Sequence, residues 1–116
     1  MRPRQKSVER LEPDEPLDLM AHDVRQIAVR WSWKHLPDRL SPSDPEWNLR
    51  RKLWRVPIIL SYPGICLGEV GEVWVDAGKG EITSHTEIAD IEARALELGR
   101  KNRAKVRAAF LRARVA

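Results

Sequence analysis

Cysteine is almost missing from this sequence. Cys66 stands alone, which rules out an internal disulfide and a cysteine metal cluster and fits a reducing, cytoplasmic setting. Long apolar runs are missing too: the longest, Val56 to Leu60, is five residues and contains Pro57, far short of the roughly 20 residues a membrane span needs. The opening stretch MRPRQKSVERLEPDEP has basic residues with no apolar region behind them, so it does not read as a signal peptide. No glycine motif suits phosphate cradling, because Gly64, Gly68 and Gly71 punctuate loop and strand without a helix start behind them. Acid, finally, is missing from the end of the chain. Gly99 to Ala116 carries Arg100, Lys101, Arg103, Lys105, Arg107, Arg112 and Arg114 and no Asp or Glu. With the whole chain at +4 and this tail at +7, residues 1–98 stand at −3. A mildly acidic body with a strongly basic tail suits an interaction tail for nucleic acid or an acidic surface; the alternative is a solvated, partly helical end.

What is present reads as one α+β domain. Residues 1–16 mix charge with Pro3, Pro13 and Pro16 and predict a flexible arm. From Leu17, the residues Met20, Val24, Ile27, Ala28 and Trp31 step by 4, 3, 1 and 3, one face of an amphipathic helix that should fade before Pro37. Pro37 to Trp47 is expected to be a loop. Trp54, Val56, Ile58 and Leu60 then alternate with Arg55, Pro57, Ile59 and Ser61, a strand that Pro57 should confine to an edge or a bulge. Tyr62-Pro63-Gly64 signals a turn whose connection runs to about Gly68. A second strand over Glu69 to Asp76, a hairpin at Asp76 to Gly80 and a short third strand at Glu81 to Thr83 complete a three-stranded antiparallel meander. Ser84 or Thr86 is expected to cap a second helix, Ser84 with Glu87 having capping-box spacing, and in that helix Ile88, Ile91, Ala95 and Leu98 step by 3, 4 and 3. The domain therefore spans 17–98, and 99–116 forms a basic tail in which Val106, Phe110 and Ala113 allow an amphipathic helix.

The run Val73-Trp74-Val75-Asp76-Ala77-Gly78-Lys79-Gly80-Glu81-Ile82 resembles the PepSY-like signature: a strand ending in Val-Asp-Ala, two turn residues, then Gly-Glu and an apolar residue. The helix before it and the Trp54-x-Val56 strand opening extend the resemblance over about residues 17–85. It implies a helix-plus-meander unit acting as a binding or inhibitory module, often secreted. The lack of a signal sequence and the added helix and tail after Ser84 depart from that pattern and count against an extracellular inhibitor. More loosely, the Trp-x-Val-Pro strand at Trp54 to Pro57, the Val-Gly-Glu-x-x-Val-Asp strand at Val70 to Asp76 and the trailing helix resemble small bacterial antitoxins. That resemblance implies a PIN-type ribonuclease toxin, an acidic metal-dependent nuclease, as partner.

Catalytic groupings are sparse. His22 and Asp18 form one favourably spaced i,i+4 pair, whereas metal sites need three or four ligands. His35 sits at a helix end, where a cation suits the dipole. His85 follows the third strand, and Cys66 has no base near it in sequence and reads as a small packed residue. The expectation is a protein that is not an enzyme and needs no cofactor or metal. With Val73 and Val75 towards the helices, strict alternation puts Ile59, Val70 and Trp74 on the sheet's other face, an apolar patch expected to receive a partner or a second copy of the chain. The favoured function is an antitoxin-like binding module that neutralises its partner through this face and the basic segment. Arg100, Arg103 and Arg107 would pair with carboxylates and Phe110 would anchor the tail. The alternatives are a nucleic-acid-associated protein binding phosphates through the tail, and a structural homodimer.

Overall fold

The computed structural model describes residues 14–115, and the side chains of 21–113. Its first helix, α1, spans Asp14–His35. The expected arm therefore lies outside the described residues except for 14–16, which are helical. Val24 and Ala28 are buried, with Ala21, Ile27 and Trp31 packed around them, as the 3.6-residue stripe predicts. The Leu36 N–H still bonds the Ser32 carbonyl at 2.8 Å before Pro37 ends the run.

The segment expected to be a loop contributes two short strands, β1 (Leu40–Pro42) and β2 (Glu46–Asn48). Both pair antiparallel with β3 (Leu53–Tyr62), β1 opposite Leu60 to Ile58 and β2 opposite Arg55 to Leu53. β4 (Ile65–Asp76) lies on the other side of β3, and β5 (Glu81–His85) follows it. Among the described residues the sheet thus has five strands rather than three, and β3 is central rather than an edge. Pro57 explains how: its carbonyl accepts the Ser43 N–H at 2.7 Å on the side where its own N–H is missing, in the gap between β1 and β2. The neighbour is broken into two pieces where β3 has no donor to offer.

The β3–β4 turn is tight. Tyr62 pairs with Ile65 across Pro63-Gly64, and the positive φ of Gly64 suits the third position of a type II turn. β4 accordingly begins at Ile65, four residues before the expected start. Beyond it, Ile58 faces Gly71 but Ile59 faces Glu69, so Val70 is an extra residue in a β-bulge.

The Asp76–Gly80 hairpin forms as expected, with the Asp76 carboxylate accepting the N–H groups of Gly78 at 2.8 Å and Lys79 at 3.0 Å. Helix α2 (Ile88–Lys101) then buries Ile91 and Ala95 on the face that α1 also covers. The expected capping box is absent, because Ser84 is used in β5 and the residue preceding α2 is Glu87, with no side-chain cap. Thr86 instead bonds the backbone N–H of Glu72 at 3.0 Å, tying the helix start to β4. The tail is a third helix, α3 (Arg103–Val115). At the elbow between α2 and α3 the Asn102 side chain donates to the Leu98 carbonyl at 2.8 Å, while the Asn102 backbone carbonyl accepts the Val106 N–H at 3.0 Å. One residue ends one helix and starts the next.

Candidate partner-binding surface

The outer sheet face is built around one guanidinium. Arg55 of β3 bonds Glu72 through Nε at 2.6 Å and Glu46 at 3.1 Å, and it also pairs with Glu69. The bulge makes this possible. Strict alternation would send residues 69 and 72 to opposite faces, but the extra residue returns both carboxylates to the same one. Glu72 also accepts the Trp74 indole N–H at 2.7 Å. Partial burial by itself would raise the Glu72 pKa. The hydrogen bonds from Arg55 and Trp74 and the charges of Arg55 and Arg51 outweigh it and hold the carboxyl below its ordinary value. For Arg55, burial opposes the charge, but Glu72, Glu46 and Glu69 together prevail and raise its pKa.

This network corrects the expected apolar face. Val70, at 1% exposure, points into the core beside Val73 and Val75, because the bulge turned it inward. Trp74 does lie opposite those valines but is only 6% exposed. Its ring is roofed by the Arg51 guanidinium, 4.3 Å from the centroid. The β2–β3 turn sets Arg51 there, with the Asn48 side chain accepting the Arg51 N–H at 2.8 Å. Ile59 is half-buried, paired between Ser41 and Glu69. The face is polar and already internally bonded.

Unpaired charge and exposed apolar surface meet elsewhere. A groove of about 560 Å³ opens between the α2–α3 elbow and the ends of β1 and β3. Leu40, Tyr62, Ala95, Leu96 and Val106 give it an apolar lining. Arg39, Arg100, Arg103 and Arg107 stand around it, with Glu92 as the one acid. Arg100 is held by Glu97 of its own helix, and that pairing lowers the Glu97 pKa. Among the described residues Arg39, Arg103 and Arg107 make no ion pair. Leu96 is 75% exposed, and Phe110 and Leu111 of α3 are about half exposed.

Three of the expected contact residues, Arg100, Arg103 and Arg107, therefore line one groove. Phe110 lies just beyond it, with its ring 5.5 Å from that of Tyr62 in an edge-on contact beside Pro63. Arg39, Tyr62 and Leu96 are additional. Leu96 is detectable in sequence as an apolar residue off the buried stripe of α2, whereas Arg39 and Tyr62 reach the groove only through the tertiary fold. The arrangement suits binding by charge and apolar contact. Among the described residues no three His, Cys, Asp or Glu side chains are placed to hold a metal. Cys66 is exposed rather than packed. The His85 ring lies tilted against Trp31 at 4.9 Å between centroids, with His35 against the same ring at 5.2 Å. Comparison with protein-family models, with curated proteins and with solved structures gives no match for this chain.

Proposed function

We propose that this chain is a non-enzymatic protein-binding module, antitoxin-like in its action, that neutralises an acidic partner through its C-terminal helices. The observation that carries this reading is the groove at the elbow: arginines of which three have no ion-pair partner among the described residues, set around an apolar lining, suit a protein surface better than a phosphate backbone. Phosphate contacts need cations but no apolar lining, whereas protein interfaces combine an apolar centre with a polar rim in which arginine is enriched. An acidic nuclease of PIN type, the partner implied by the sequence resemblance, has the complementary charge. Occupying carboxylates that would otherwise hold its metal is how such a module would silence it.

The test is recovery of the N-terminally tagged full chain from its own cells at moderate salt after nuclease treatment. A single stoichiometric acidic protein, lost from the Arg103→Glu/Arg107→Glu variant and inactive while bound, is the expected result. Companions that disappear with nuclease, or a companion retained by the double variant, would overturn the reading.

A further inference from the structure

Resting on that reading, we infer that the elbow groove takes a carboxylate-rich segment of the partner that carries at least one large apolar side chain. The two halves of the groove ask for different chemistry. Tyr62, Leu96 and Val106 keep apolar surface open in the groove over the buried Leu40 and Ala95, and only an apolar group can cover it without leaving a polar group unpaired. Arg39, Arg103 and Arg107 rim that surface without an ion-pair partner among the described residues. Guanidinium forks match carboxylates in bidentate geometry.

Helix α3 adds an independent argument. Its first turn carries Arg103 and no acid, the reverse of what the positive helix end favours. An anionic segment lying across the elbow would meet that end and the arginines together. Glu92, on the α2 wall, would repel carboxylates at its end of the groove. The acidic residues of the segment would therefore sit towards α3, with the apolar side chain over Ala95 and Leu96.

The test is fluorescence polarisation of three labelled probes on the full chain. One is a short peptide in which Glu residues flank Leu and Phe; the second is the same peptide with Ser for Leu and Phe; the third is oligothymidylate of equal charge. The first should bind at least about tenfold more tightly than the second. Arg103→Gln/Arg107→Gln should weaken it about tenfold, while Lys105→Gln/Arg112→Gln, an equal loss of charge outside the groove, should change it less than about threefold. Leu96→Glu, at an exposed position, should abolish binding without unfolding the chain. Equal binding of the Ser peptide, or equal losses in the two arginine and lysine variants, would overturn the groove assignment. A peptide that binds but ignores both Leu96→Glu and Arg103→Gln/Arg107→Gln would also do so, while leaving the protein-binding reading standing. Tight oligothymidylate binding with no peptide binding would bring down both.

Discussion

Replacing Arg55 with methionine tests whether the outer sheet face is held by its ion network. The variant keeps most of the apolar stem and removes only the guanidinium. The side chain is 23% exposed, and its partner Glu72 is 33% exposed, so the 2.6 Å bond between them is partly shielded from water. A hydrogen bond to a charged group in that setting contributes about 1.5–3 kcal/mol. Glu46 and Glu69 are more exposed, and each adds at most about 1 kcal/mol. Loss of the cation also leaves Glu69 and Glu72 side by side with nothing between them. The expected destabilisation is about 2–4 kcal/mol out of the roughly 5–15 kcal/mol typical of a domain. The variant should fold but unfold earlier in urea, followed by tryptophan fluorescence.

The pH dependence gives the mechanism a sign. Glu72 has a lowered pKa in the folded chain, so its contribution is full above the unfolded value near 4.3 and is lost as pH falls through the folded one. In the variant, protonation relieves repulsion instead. The gap between wild type and Arg55→Met should therefore be widest near pH 7 and narrow as pH is taken down through 4. A gap below about 0.5 kcal/mol at pH 7, or one unchanged at pH 4, would refute the reasoning.

Three other sites give cleaner geometric tests. A Cβ on Gly71 would lie 2.8 Å from Ile91 Cγ1 and 3.2 Å from Thr86 Cβ, so Gly71→Ala should cost about 1–3 kcal/mol in thermal or urea unfolding and less in an Ile91→Ala background. Gly99 lies in α2 with nothing within 4 Å of such a Cβ, so Gly99→Ala should raise stability by up to about 1 kcal/mol. Arg51→Ala should uncover Trp74, shifting tryptophan emission to the red and costing about 0.5–1 kcal/mol. An unchanged emission maximum would mean that Arg51 does not shield the ring.

The helices and the hairpin were legible because they are local. The steps from Val24 to Ala28 and from Ile91 to Ala95 mark buried stripes, and Asp76 to Gly80 carries its turn chemistry in its own side chains. The two short strands before β3 were not legible, since three residues in a proline-rich stretch show no period and form only against the edge of β3. The face of Val70 failed for a different reason. Period-two reasoning has no place for an extra residue, and the bulge at Val70 reverses the assignments beyond it until a second register shift, at Leu67, restores them. Gly71 inside a strand pattern is the only trace that the bulge leaves in sequence. The groove was half legible: its cations on α2 and α3 stand out as an acid-free run, but Arg39 and Tyr62 come from elements more than thirty residues earlier.

The sheet and the elbow handle charge in opposite ways, and the difference separates stability from binding. Around Arg55, opposite charges are satisfied within the chain. On α3, Arg103 occupies the first turn of a helix with no acid to balance it. A negative side chain there favours the helix by about 0.3–1 kcal/mol, so Arg103→Glu should slow amide exchange in α3 and raise the melting temperature slightly. The same substitution places a carboxylate on the rim where an acidic partner would dock, and its affinity should fall. Stability and binding moving in opposite directions would mark Arg103 as a residue kept for its partner at some expense to its own helix. A loss of both together would mean that Arg103 holds the elbow in place, and the groove would then have to recognise its partner without it.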